Sequence, residues 1–203
     1  MKSGKMDFGC LILAAGESRR MGTQKLLLEV QGKPILQHVI DTASTIGFPE
    51  LVVVIGSQSD KIISKINFGS VKIVINNEYR AGLSSSLKLG LKSFTSNPDA
   101  YMVMLGDMPF IRPDTLRKLL EEHAKTDPFM SIPVYREKRG NPVIISRRAV
   151  KEVETLSGDS GARQLLERHP HEVMWIQVDD EGVILDVDTQ EDYRNILKAL
   201  HIE

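Results

Sequence analysis

Arg19, Arg20 and Lys25 crowd into one stretch of the chain, Leu13-Ala14-Ala15-Gly16-Glu17-Ser18-Arg19-Arg20-Met21-Gly22-Thr23-Gln24-Lys25. Small residues let a backbone come close to a ligand, and glycines allow amides to converge on an anion. Three cations add attraction for phosphate. The stretch reads as a polyphosphate grip or, equally, as a solvated basic turn. No G-x-G-x-x-G opens a helix here, and neither Gly16 nor Gly22 is followed by the Lys-Ser/Thr of a Walker loop. A second candidate is Asp107, in Gly106-Asp107-Met108-Pro109 after the apolar run Tyr101–Leu105. Magnesium is commonly held by one or two carboxylates together with phosphate and water, and an acid at a strand tip suits that task. It suits as well an aspartate that turns the chain and caps the helix near Pro113. Further on, Thr189 and Asp192, just after Asp186-Val187-Asp188, read as a capping box.

These loops need strands and helices to position them. Phe8–Leu13, Leu51–Ile55, Val71–Ile75 and Tyr101–Leu105 are short apolar runs of the kind a strand buried on both faces shows. Between them lie helical periodicities over 35–46, 60–66, from Ser84 to the stop at Asn97-Pro98, and 113–124. Such alternation builds an α/β fold with a mostly parallel sheet, helices on both faces and right-handed crossovers. In open sheets of this kind ligands bind beyond the carboxyl ends of the strands, where both the Arg/Lys loop and Asp107 fall. After about Asp127 the rhythm changes. Met130–Tyr135 and Pro142–Ile145 flank a polar turn, Arg136–Gly140, like a hairpin. Short helices over 148–155 and 161–168, strands at 173–178 and 183–185 and a closing helix that returns to the sheet complete a smaller mixed lobe. The chain reads as a single domain, 1–203, with halves of about 7–126 and 127–203.

Composition removes several classes. Apolar residues are 41% and charged residues 26% of the chain, a globular balance. Twenty-six basic and 27 acidic residues leave a net charge of -1, which excludes binding to nucleic acid through bulk charge. The lone Cys10 excludes a disulfide framework or a thiolate metal cage and reads as a core residue. No apolar run approaches the roughly 20 residues needed to span a bilayer. Met1–Met6 leads straight into the first strand without a signal-peptide pattern, so the expected location is the cytoplasm.

Read together, the motifs resemble a family. Leu13-Ala14-Ala15-Gly16-x-Ser18-x-Arg20-Met21-Gly22-x-x-Lys25-Leu26-Leu27 is similar to the signature of nucleotidyltransferases that attach a nucleotide to molybdopterin. The branch it resembles most is the molybdenum cofactor cytidylyltransferases, which includes homologues in purine catabolism and xanthine dehydrogenase maturation. Gly82-Leu83-Ser84-Ser85-Ser86-Leu87, Gly106-Asp107-Met108-Pro109, Arg139-Gly140-Asn141-Pro142, Gly158-Asp159-Ser160-Gly161-Ala162-Arg163 and Asp186-Val187-Asp188-Thr189 follow in the family's order. Gln190 stands where the family usually carries proline.

The resemblance implies a Rossmann-like nucleotidyltransferase fold. It also implies a reaction in which CTP and the phosphate monoester of molybdenum cofactor give the cytosine dinucleotide and pyrophosphate. Arg20, Lys25 and Asp107 are then the catalytic residues. Leu13, Ala14, Ala15 and Gly16 line the nucleotide with Arg20 and Lys25, and Gly82 and Ser86 take the base. Asp107 and Asp188 hold Mg2+, with Asp186 a weaker candidate. Arg139, Gly140 and Asn141 face the acceptor. Ala15 and Leu26 match the CTP-using branch, since GTP-using relatives carry glycine at both points. A molybdenum hydroxylase such as xanthine dehydrogenase becomes an implied partner. Two alternatives remain at this stage: transfer to another phosphorylated acceptor such as a sugar phosphate, and a non-catalytic carrier of the cofactor. The histidines, the Ser84-Ser85-Ser86 run, Trp175 as a core residue and Asp179–Gly182 as a solvated turn have no expected chemistry.

Overall fold

The computed structural model describes residues 6–200, so the sequence reading of the first residues lies almost wholly outside it. The strands are β1 (Phe8–Ala14), β2 (Glu29–Val30), β3 (Lys33–Pro34), β4 (Leu51–Ile55), β5 (Lys72–Ile75), β6 (Ala100–Leu105), β7 (Met130–Tyr135), β8 (Lys138–Arg139), β9 (Val143–Ser146) and β10 (Val173–Gln177). The helices are α1 (Ile35–Ser44), α2 (Ser59–Lys65), α3 (Leu83–Lys92), α4 (Pro113–Thr126), α5 (Val150–Val153), α6 (Arg163–Arg168) and α7 (Gln190–Ala199).

One sheet runs in the order β5-β4-β1-β6-β9-β7-β10, with β8 paired to β7. β1 pairs parallel with β4 and β6, and β4 with β5. β9 is antiparallel to both β6 and β7, and β10 pairs parallel with β7. The mixed part after residue 127 therefore continues the same sheet. Alternate residues of β1 enter opposite cores, as a period of two requires. Cys10, Ile12 and Ala14 pack with Leu36, Ile40, Ile62 and Leu116 from α1, α2 and α4. Leu11 and Leu13 pack with Leu87, Leu91, Val153 and Leu165 from α3, α5 and α6. Each fully buried Leu or Ile side chain in these layers contributes roughly 1.5–3 kcal/mol. Burial pushes the Cys10 thiol far up, in keeping with a packing role.

Several expectations need correction. The segment expected as a strand at 183–185 is instead a 3-10 turn, Glu181–Ile184. Asp180, expected in a solvated turn, is 5% exposed and accepts hydrogen bonds from the Arg112 and Gly182 amides and the Thr115 hydroxyl. It anchors that turn to the start of α4. Trp175 is 47% exposed, because β10 is an edge strand. α3 ends at Lys92, short of Asn97-Pro98, where the Ser93 hydroxyl bonds back to the Gly90 carbonyl. A hairpin not read from the sequence, β2–β3, turns at Gln31 and Gly32, both with positive φ. α7 packs over the loops rather than on the sheet, placing Tyr193 and Ile196 against Met21, Val30, Ile35 and Val187. No helix among the described residues is long and apolar enough to cross a membrane.

His123, on the inner face of α4, is fully buried and shares a hydrogen bond of 2.8 Å with Ser131. Burial, and then the charge of Arg148, brings its imidazole down to about 4. An unfolded chain protonates this group near 6.5, so between these values the unfolded state binds more protons and stability rises with pH. Lowering the pH from 7 to 5 should cost about 2 kcal/mol through His123. Urea denaturation of wild type and His123→Gln at both pH values checks this, and an equal pH dependence in the two proteins would refute it.

Candidate functional site

The chain runs from β1 outward to β4 and β5, then crosses back to β6 on the other side of β1. Strand order reverses between β1 and β6, so the loops leaving their carboxyl ends turn apart and open a crevice. Leu13–Gly16 and Leu105–Asp107 border it, tied where the Gly106 amide donates to the Leu13 carbonyl at 2.9 Å. The loop after β1 keeps its shape through local bonds. Ser18 and Gly22 adopt left-handed backbone, the Lys25 amide donates to the Ser18 hydroxyl, and the Gln24 amide group reaches the Ser57 carbonyl. Gln190 at the start of α7 holds the Met21 carbonyl.

These restraints deliver Lys25 to the centre of the site. It is 8% exposed, and its Nζ donates to Asp107 Oδ2 at 2.6 Å and Asp188 Oδ1 at 3.1 Å. Arg20 also pairs with Asp188. Burial alone would lower the lysine's pKa, but the charge and hydrogen bond of Asp107, followed by those of Asp188, outweigh it and hold Lys25 above the ordinary lysine range. Asp188 arrives through two backbone devices. The Val187 amide donates to the Asp107 carbonyl at 3.0 Å, and the Thr189–Asp192 capping box fixes the turn into α7. Asp107 does not cap α4: Arg112 occupies the cap position without a cap bond from its own side chain, and its amide donates to Asp180. Asp186 sits beside the pair; partial burial first, then the negative charge of Asp107, raises its carboxyl pKa.

A cavity of about 550 Å³ brings together nearly all the sequence-selected residues. Leu13, Ala14, Ala15, Gly16, Arg20, Lys25, Asp107 and Asp188 line it, as do Gly82 and Ser86. Gly82 has φ +96, and a side-chain carbon on it would stand 2.5 Å from the Gly158 backbone, so this glycine lets the 158–159 turn close over the start of α3. Ser86 accepts from the side chain of the buried Asn76 at 2.9 Å. Arg139 and Asn141 fall elsewhere. They border an adjoining cavity of about 290 Å³ together with Met108 and Asp186, and Leu105 belongs to both spaces. Gly140 borders neither. Its amide donates to Pro133, and a side-chain carbon there would lie 2.4 Å from the Val183 carbonyl, so it permits close packing.

Sequence reasoning passed over Glu17, Tyr79 and Arg80, which also line the larger cavity, as does Asp159 of the Gly158–Arg163 motif. Glu17 accepts from Arg80 at 2.9 Å and also from Arg19, and these bonds, that of Arg80 foremost, hold its carboxyl below the usual range. Tyr79 and Arg80 follow β5 just before Gly82, so the strand-end argument applied to Asp107 would have found them.

Residues 10–173 match the model of the MobA-like NTP transferase domain. The chain belongs to this family. As a MobA-like nucleotidyltransferase it is 31% identical over 206 residues to the nicotine blue oxidoreductase of Paenarthrobacter nicotinovorans, covering 96% of this chain and 100% of that one. It is 30% identical over 161 residues to the bifunctional protein GlmU of Thermosipho africanus, covering 77% of this chain but 35% of GlmU. Among solved structures, Rv0371c of Mycobacterium tuberculosis H37Rv superposes with a TM-score of 0.86 at 28% identity, covering 96% of this chain and 99% of that one. A crystal structure of the same protein in complex with manganese gives 0.82 at 27% identity over 95% and 99% of the two chains.

The shared cation makes an asymmetric prediction. Losing Lys25 leaves Asp107, Asp188 and Asp186 facing one another, whereas losing one acid leaves the lysine another partner. Lys25→Met should cost about 3 kcal/mol, and Asp107→Asn about 1 kcal/mol. Urea denaturation at pH 7 measures both, and equal costs would show that the ammonium is not shared.

Proposed function

We propose that this transferase is a cytoplasmic molybdenum cofactor cytidylyltransferase, moving CMP from CTP to the terminal phosphate of molybdopterin and releasing pyrophosphate. The observation that carries the reading is the convergence of Lys25, Asp107 and Asp188 in the crevice between β1 and β6, in one cavity with Ala15, Gly16, Gly82 and Ser86. The triphosphate lies against Arg20 and Lys25, and the nucleoside between the Leu13–Gly16 backbone and the Gly82–Ser86 wall. Arg139 and Asn141, in the adjoining cavity, hold the anionic acceptor, with Leu105 on the shared boundary. Further support comes from the match of the opening motif to the CTP-using branch. The role in supplying a molybdenum hydroxylase such as xanthine dehydrogenase, as in purine catabolism, rests on that resemblance alone.

Mg2+ is the proposed metal. Among the described residues no group of three or more His, Cys, Asp or Glu side chains could hold a metal alone. Two carboxylates that reach a common point, within hydrogen-bond distance of one ammonium, fit an ion that takes its remaining oxygens from phosphate and water. The manganese complex of Rv0371c supports a divalent ion at this fold. Asp107 and Asp188 would hold it, and when bound it supplies positive charge to the reacting phosphates. The nucleophile is a phosphate monoester, largely a dianion at neutral pH because its second pKa is about 6. No side chain has to remove a proton. The barrier is repulsion between two anions, and Arg20 and Lys25 lower it by hydrogen bonding to phosphate oxygens as charge moves to pyrophosphate. Before nucleotide arrives the carboxylates keep Lys25 protonated, and the buried loop fixes its reach, so catalysis is positioning plus electrostatics.

The decisive experiment supplies purified protein with molybdenum cofactor and each of CTP, GTP, UTP and ATP, following dinucleotide formation and pyrophosphate release. CTP should be preferred, and release should require the acceptor. Asp107→Asn should lower the rate by about 100-fold or more while melting within about 4 °C of wild type. Full activity of that variant would remove Asp107 from the mechanism. The name of the Paenarthrobacter relative makes oxidoreduction the competing outcome. Oxidation or reduction of nicotine blue, without pyrophosphate release, would contradict the transfer.

Ala15 supplies a second test. It is 6% exposed, lines the cavity and packs its methyl towards Gly56. One carbon in a pocket is worth about 1–3 kcal/mol of discrimination. Ala15→Gly should therefore raise the GTP/CTP ratio of kcat/KM by about tenfold, and an unchanged ratio would place base selection elsewhere.

A further inference from the structure

The position of Lys25 raises a question about its order of action. A lysine that only gripped phosphate would be expected to point into open space. Here Nζ stands 2.6 Å from Asp107 and 3.1 Å from Asp188, and the residue is 8% exposed. Those carboxylates are the pair that the proposed function assigns to the divalent ion. An ammonium within hydrogen-bond distance of both occupies the same oxygens a cation would use, and two positive charges so close repel. Arg20 adds a third claim on Asp188.

We infer that Lys25 and the divalent ion compete for Asp107 and Asp188, and that nucleotide phosphate resolves the competition by drawing Lys25 off the carboxylates. Lysine suits this task. Its ammonium is a compact charge on a flexible stem and can change partners by rotation, whereas the guanidinium fork of arginine favours planar two-point pairing. The loop carrying Lys25 is held by the Ser18 hydroxyl and Gln24, so the exchange needs only the side chain to move while the backbone stays in place. The charge arithmetic agrees. Lys25 and Arg20 balance the charges of Asp107 and Asp188, leaving only Asp186 beside them. A metal–nucleotide complex carries both signs of charge: its metal attracts the two acids while its phosphates attract the two released cations, so every group displaced from the present pairing finds a new partner. Metal and nucleotide thus enter together, and the metal alone enters poorly. This deepens the metal assignment above and rests on it, but it does not depend on which base or acceptor is used.

The test is Mn2+ binding, read by electron paramagnetic resonance of the free ion, with purified wild type, Lys25→Met and Lys25→Gln and without acceptor. Lys25→Met should bind Mn2+ alone at least about tenfold more tightly than wild type, a gap of about 1.4 kcal/mol, and its melting temperature should rise with Mn2+ when that of wild type does not. Lys25→Gln, which keeps polar atoms beside both carboxylates, should shift in the same direction and serves if Lys25→Met does not fold. Adding CTP should tighten Mn2+ binding by a larger factor in wild type than in either variant. Asp107→Asn in the Lys25→Met background should lose the gained affinity. Equal binding of the bare ion by wild type and both variants would overturn the exchange. Tight binding of the ion that Asp107→Asn leaves intact would instead overturn the metal assignment. CTP giving no product with any acceptor, while the Mn2+ pattern holds, would count against the proposed substrates alone.

Discussion

A single ammonium shared by two carboxylates from widely separated parts of the chain is the interaction around which this molecule is arranged. Lys25 comes from the loop after the first strand, Asp107 from the end of β6 and Asp188 from the approach to the last helix. None of the three is useful without the others. A lysine this buried requires counter-charges, and two acids this close require a cation. Each group's cost of burial is offset by its partners, so the arrangement holds only while all three loops are in register.

The fold supplies that register by topology. Strand order reverses between β1 and β6, which opens a crevice without any special sequence, and the apolar layers on either side fix the two strands against each other. The far end of the chain is then brought in by backbone bonds. Val187 donates to the Asp107 carbonyl, Gln190 to the Met21 carbonyl and Tyr193 to the Glu29 carbonyl. The closing helix thus acts as a clamp on the loops that carry Lys25 and Asp107. This explains why a helix with no fully buried residue is retained against Met21, Ile35 and Val187.

Much of this was legible in the sequence, for identifiable reasons. The runs at 51–55 and 101–105 are fully apolar because both faces of those strands are covered, and such runs read unambiguously. Asp107 and the Arg/Lys loop were legible because strand ends in parallel sheets point to ligands. Asp180 was misread because Asp-Asp-Glu-Gly has the composition of a solvated turn, and composition does not reveal that one carboxylate satisfies the buried start of α4. Trp175 was misread because a strand's hydrophobic pattern is the same at the edge of a sheet as at its centre. Gly140 lay within a recognised motif, yet its contacts are with Val183 and Pro133, which only the three-dimensional packing shows. Tyr79 and Arg80 carry no such motif and lie in a short 3-10 turn after the edge strand β5.

The central electrostatic claim is open to direct observation. Lysine side chains labelled with carbon-13 at Cε can be followed by NMR across alkaline pH, with the Lys25 signal assigned by its loss in Lys25→Arg. If Asp107 and Asp188 share its ammonium, Lys25 keeps its proton to higher pH than an ordinary lysine, despite being buried. A Lys25 that titrates below the other lysines would show that burial dominates, and the three-way contact on which this account is built would not exist in solution.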